Sequence, residues 1–215
     1  MGGRIDSHAD RFAGGYGSAG KVRGELRTLT VVPRTHRNSQ ARRLDGEAWK
    51  HVWDYDLKRW VRAELGYEPK VRGFKNNWGK WPVGIEEARP AKCIALVEGA
   101  PDFLAAFHFL IAEGRADFVA PVAMLGSSND IAIEALPMFT DKRLRIFPHN
   151  DSNQAGLKAA TNWEIQLRSV AASVDAFDFS GLTMACESAV KDLNDLTSAS
   201  DCFESEPELR ALMDF

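Results

Sequence analysis

Apolar and polar positions follow two different rhythms along this chain, and the change comes near residue 91. From there the pattern is regular. Cys93-Ile94-Ala95-Leu96-Val97 is a continuous apolar run, as expected of a strand buried on both faces. Pro101 then opens a helix where a missing N–H costs nothing, Phe103, Leu104, Phe107, Leu110 and Ile111 are expected on its buried face, and Gly114 stops it. Val119 to Leu125 reads as a second strand, and Asn129 or Asp130 as the cap of a short helix through Leu136. Leu144 to Phe147 reads as a third strand. Residues 154–171 read as a helix with Leu157, Ala160, Trp163, Leu167 and Val170 on one face, and Val174 to Phe179 as a fourth strand nearer an edge. Strands alternating with helices predict an α/β layer with a mainly parallel sheet of about four strands.

The earlier half is less regular. Residues 1–26 hold many glycines and few large apolar residues, and are expected to form a flexible arm. Leu29 to Val32 predicts a strand ended by Pro33, and Arg42 to Gly46 the end of a strand entering a turn. Trp49, Val52, Trp53, Leu57, Trp60 and Val61 have spacings that fit a helix over 47–64, with strands as the alternative. Residues 75–84 read as loop and turn. The resulting division is an arm (1–26), a smaller basic α+β subdomain (27–90), the α/β domain (91–196) and a tail with one short helix (197–215).

Composition changes this picture in one respect. Apolar residues make up 45% and charged residues 27%, which suits a soluble globular protein with a real core and excludes a disordered chain. No apolar run is long enough to span a bilayer and no signal-peptide core is evident, so a cytoplasmic protein without membrane contact is expected. Cys93, Cys186 and Cys202 are odd in number and widely spaced, so neither a disulfide framework nor a zinc site is expected. The net charge of −3 conceals an asymmetry: residues 1–85 carry 17 Lys+Arg against 9 Asp+Glu, and residues 86–215 carry 10 against 21. The basic half suits phosphates and the acidic half suits metal ions. Arg34, Arg37, Arg42, Arg43, Lys75 and Lys80, interleaved with tryptophans, are the candidate contacts to single-stranded nucleic acid.

Ligands in open α/β sheets collect beyond the carboxyl ends of the strands. Three successive strands place polar residues there: Glu98-Gly99, then Gly126-Ser127-Ser128-Asn129-Asp130, then His149-Asn150-Asp151-Ser152-Asn153 ahead of Ala155-Gly156. Carboxylates meeting at neighbouring strand ends offer hard oxygen ligands suited to Mg²⁺ or Mn²⁺. Gly99 and Gly156 let the backbone approach a phosphate at helix N-termini.

Four segments, in order, with a fifth ahead of them, resemble a known family. Leu96-Val97-Glu98-Gly99-Ala100-Pro101-Asp102 resembles the first motif of the TOPRIM domain, and Leu125-Gly126-Ser127 its second-strand turn. Ile146 to Gly156 resembles its Asp-x-Asp region. Lys191-Asp192-Leu193-Asn194-Asp195 resembles the closing Lys-Asp-x-Asn-Asp of primase-like members, and Lys80 to Ala88 resembles the segment before the domain in bacterial-type DNA primases. The resemblance implies a TOPRIM fold and primer synthesis by metal-dependent nucleotidyl transfer, with a nuclease or a weakened nucleic-acid-binding module as the other readings. It implies Glu98 and Asp151 as the catalytic and metal-binding carboxylates. The chain departs from the family at the Asp-x-Asp motif: one register puts Asn153, the other His149, where a second aspartate belongs. Gly99, Asp102, Ser127, Gly156, Asp192 and Asp195 are then supporting or phosphate-binding residues. The implied partners are single-stranded DNA, nucleotides and a replicative helicase.

Overall fold

A computed structural model of the chain describes residues 28–31, 38, 40–43, 47–54, 56–63, 69, 71–73, 78–184, 188–197 and 211–215. The arm over 1–26, Arg34, Arg37, Lys75, Cys186, Cys202 and most of the expected tail helix lie outside the described residues.

The second half is a three-layer α/β unit. Its sheet has four parallel strands: β6 (Cys93–Glu98), β7 (Val119–Met124), β8 (Arg143–Phe147) and β9 (Ser173–Ala176), in the order β7-β6-β8-β9. β6 is central and every one of its residues is buried, which is why it reads as an uninterrupted apolar run. Alternate residues feed two cores. Cys93, Ala95 and Val97 face a core built from α1 (Gly99–Ala112), the short helix α3 (Leu193–Leu196) and Leu212 and Met213. Ile94 and Leu96 face a second core with Ala159, Ala160, Trp163 and Leu167 of α2 (Ala155–Leu167). The chain passes from β6 to β7 on one side of β6, then returns to β8 on the other. The topological switch point therefore falls between β6 and β8, where such sheets open a crevice.

The segment before the sheet is tied into it. Val83 exchanges backbone hydrogen bonds of 2.8 and 2.9 Å with Ala123, covering the outer edge of β7, while Trp81 and Ile85 are buried beside it. Gly84 is required there: its φ is +87°, and a Cβ would meet Pro121 O at 2.9 Å. Lys142 is buried and donates its ammonium hydrogens to the carbonyls of Ala88, Arg89 and Ala91, joining this segment to the start of β8.

Among the described residues, the first half consists of strands and turns. β1 (Thr28–Val31), β2 (Gln40–Arg43) and β5 (Val71–Gly73) form an antiparallel sheet in the order β1-β2-β5. β3 (His51–Asp54) and β4 (Arg59–Arg62) form a hairpin. The hairpin replaces the helix expected over 47–64. The same spacing pairs Val52 with Val61 and Trp53 with Trp60 across the ladder, and β-branched and aromatic residues favour that pairing. Asp54 Oδ1 accepts the N–H groups of Asp56 and Leu57, and Lys58 takes a positive φ of 50°, which closes the turn.

Two further expectations are corrected. The helix expected after Asn129 is a run of turns followed by a 3-10 turn at Leu136–Phe139, where Pro137 supplies no N–H to an α-helical ladder. On α1, Phe103 and Leu110 are buried as expected, but Leu104 and Ile111 are 45% and 71% exposed, and Ala106 and Phe109 are buried instead. No helix among the described residues is long and apolar enough to cross a membrane.

Candidate metal centre

Glu98 is the last residue of β6 and the residue before α1 begins, so the sheet delivers its carboxylate to the mouth of the switch-point crevice. Its position would suit a helix cap, yet its side chain makes no capping bond. The Ser127 side chain, from the turn after β7, lies close enough to favour the charged form of the carboxylate. Oε2 is buried and accepts no hydrogen bond, and the residue as a whole is 9% exposed. Burial pushes the Glu98 pKa up, against the opposing pull of His149 and Ser127.

Asp102 lies one helical turn further along α1, buried at 1% exposure. Oδ1 accepts the backbone N–H of Asn194 at 2.9 Å, and Oδ2 is hydrogen-bonded directly to His149 Nε2. His149 follows β8 after the buried Pro148. Its backbone is pressed by α2: a Cβ on Gly156 would meet His149 O at 2.4 Å and N at 2.8 Å. The helix can start where it does only because residue 156 has no side chain. Asp192 arrives from the far end of the chain. It is the N-cap of α3, its Oδ1 accepting from Asp195 N at 2.9 Å, while Oδ2 stands 3.9 Å from His149 Nε2. Asn150 N donates to Lys191 O at 2.7 Å, which holds the two loops side by side.

Asp102, His149 and Asp192 thus offer one ligand atom each, all within 4.8 Å of one another. Two carboxylates and an imidazole in a partly enclosed cavity can hold a divalent cation. The imidazole carries competing influences. Burial alone would lower its pKa, but the hydrogen bond and charge of Asp102, with Glu98 and Asp192, outweigh this and push it up to about 9. Burial and the Asp102 charge push Asp192 up to about 6.

The other site residues expected from sequence are placed as follows. Asp151 lies near enough to Glu98 for its charge to raise the Glu98 pKa, but it is not part of the close trio. Asn153 is exposed, and its Oδ1 accepts from Ala155 N at the start of α2. Gly99 takes a φ of +85° at the first position of α1. Asp195 accepts from Lys191 N at 3.0 Å and so closes the α3 cap. Lys80 is exposed and pairs with Asp130 at 3.2 Å. Arg42 and Arg43 belong to β2.

Glu98, Gly99, Asp102, His149 and Asp192 line a cavity of ≈ 300 Å³, at the small end of ligand sites. Its remaining wall includes Gln40 and Val71 from the antiparallel sheet. Nothing in sequence marks those two as site residues, because only the tertiary approach of β2 and β5 brings them there. No protein-family model, curated protein or solved structure matches this chain.

Proposed function

We propose that this chain carries a TOPRIM-type centre and acts on nucleic acid by divalent-metal-dependent phosphoryl transfer, with primer synthesis as the first reading. The observation that carries this is the convergence of Glu98, Asp102, His149 and Asp192, from three separate segments, on one cavity at the switch point of a parallel sheet. The strand-end Glu-Gly with its Asp three residues on, the small-residue turn and the Lys-Asp-x-Asn-Asp segment all contribute to that cavity, as the resemblance implies. Three of its groups fit a hard or borderline cation, and Mn²⁺ or Mg²⁺ is the cofactor proposed. When bound, the ion would neutralise charge on a transferring phosphoryl group. The chain's own part is to orient that group against Glu98, whose raised pKa suits a carboxylate that takes and returns a proton.

Incubation of pure protein with single-stranded DNA, labelled nucleotides and Mn²⁺ tests this reading. Extension supports primer synthesis, cleavage supports a nuclease, and neither leaves a binding module. Glu98→Gln keeps shape and removes charge, so it should abolish product formation while leaving DNA binding within about twofold, since phosphate contacts dominate affinity.

One observation favours the binding-module reading. His149 places a protonated ring among the carboxylates, so the cluster is partly neutralised from within the protein. A centre balanced in this way demands a cation less strongly than a bare acidic cluster does.

A further inference from the structure

The resemblance puts a metal on Glu98 and Asp151; the side-chain geometry points elsewhere. We propose that Asp102 Oδ2, His149 Nε2 and Asp192 Oδ2 ligate one divalent cation, and that Glu98 is the carboxylate that orients the His149 ring through its other nitrogen.

Two distances motivate this. Ligands held about 2.1 Å from an octahedral ion lie roughly 3 to 4.2 Å from each other. Asp192 Oδ2 and His149 Nε2 are 3.9 Å apart, inside that range. Asp102 Oδ2 is in direct hydrogen-bond contact with the same nitrogen, so an ion enters only if the ring backs away by about an ångström. The opposite side of the ring has room for that movement. Nδ1 faces Glu98 Oε2 at 3.9 Å, too long for a hydrogen bond, and that oxygen is buried without a hydrogen-bond partner. A shift of the ring away from Asp102 brings Nδ1–H towards Oε2 and satisfies it. One small motion therefore opens the ion position and makes the carboxylate–imidazole bond that metal-ligating histidines generally possess.

An imidazole ligand also changes which ion is favoured. Mg²⁺ prefers oxygen, whereas Mn²⁺, at the start of the first-row transition-metal affinity order, accepts a nitrogen ligand more readily. The site therefore selects Mn²⁺ over Mg²⁺. This refines the metal part of the reading above. Its test omits nucleic acid, so the two stand or fall separately.

Mn²⁺ is titrated into the full chain at about pH 8.5, where the proton competes less for Nε2 than at neutral pH, and followed by electron paramagnetic resonance. Spin-echo modulation from a directly bound ¹⁴N is expected in the wild type. Asp192→Asn, which keeps the α3 cap, and His149→Gln should each weaken Mn²⁺ binding by about tenfold or more, and Glu98→Gln by about tenfold. Asp151→Asn should change it by less than about twofold, and Mg²⁺ should compete at least about tenfold more weakly than Mn²⁺. Circular dichroism confirms that each variant is folded, and Asp192→Asn and His149→Gln test the same point independently. Absence of Mn²⁺ binding or of the ¹⁴N modulation would overturn the proposal. So would an Asp151→Asn loss equal to that of Asp192→Asn, or Mg²⁺ binding as tightly as Mn²⁺. Normal Mn²⁺ binding with no extension or cleavage of DNA leaves this site standing and removes the phosphoryl-transfer reading.

Discussion

A protonated ring held between three carboxylates makes His149 the residue through which pH acts on this site. Its pKa is about 9 in the fold against 6.5 for a free imidazole. A group whose pKa is raised by folding adds stability that is complete below the unfolded value and lost as pH rises through the folded one. Asp192 follows the same rule in a lower window. Its pKa is about 6 against 3.8, so the fold disfavours its charge, and that cost is complete above pH 6. Between 6.5 and 9, His149 is then the titrating member of this cluster. The chelator-treated protein should lose melting temperature across that window, and His149→Gln should flatten the fall. Parallel curves for the two proteins would show that the ring is not the source. Glu98, Asp102, His149 and Asp192 were legible in sequence because each sits in a short motif at a strand end or a helix start. Their pairing was not. Asp102 meets His149 across 47 residues, and the contact depends on how the loop after β8 turns the ring. Asn153 reads as a ligand from its place in the motif, whereas its exposed Oδ1 accepts the Ala155 N–H instead.

The α2 element controls the same ring from behind. Because the first turn of α2 touches the His149 backbone at residue 156, a methyl group there has no space unless the helix or the loop moves. Gly156→Ala should destabilise the protein by about 1–3 kcal/mol, as overpacking does. It should also weaken Mn²⁺ binding, because the displaced loop carries a ligand. Gly114→Ala is the comparison: its φ is +65° but nothing lies within 4 Å, so it should lower stability without touching the metal. Equal effects of the two on Mn²⁺ affinity would break the proposed link between α2 and the ring. At this scale, legibility depended on how many faces of an element are apolar. β6 and β7 were clear because buried parallel strands are continuous apolar runs. α1 was clear as a helix but not in its rotation, since Ala105, Ala106, Phe107 and Phe109 spread apolar groups round most of it. The β3–β4 hairpin reads as helix or strand because its apolar spacing satisfies both a helical stripe and a cross-strand ladder. Tryptophan and valine at the paired positions tip the balance to strands.

Across the whole molecule, charge is divided between the two halves, and the antiparallel strands meet the acidic cavity at Gln40 and Val71. A nucleic-acid strand following that division would lay its phosphates on the basic half and bring one linkage to the metal centre. On the hairpin, Lys50, Lys58, Arg59 and Arg62 are exposed. Arg42 and Arg43 lie on β2, the strand that begins at Gln40. Binding through phosphates releases condensed counterions, so the logarithm of the affinity falls with the logarithm of salt by roughly 0.7 for each contact to a single strand. Fluorescence anisotropy of labelled single-stranded DNA across a salt series should give a steep negative slope. Arg42→Ala with Arg43→Ala should weaken binding to all sequences alike and reduce the slope by about 1.4 if both side chains hold phosphates. Arg59→Ala with Arg62→Ala should act similarly if the hairpin shares the path. Asp192→Asn should leave the slope unchanged, since it alters the metal and not the phosphate track. A flat salt dependence, or slopes that the arginine pairs do not change, would detach the basic half from nucleic acid and leave its charge as solvated surface.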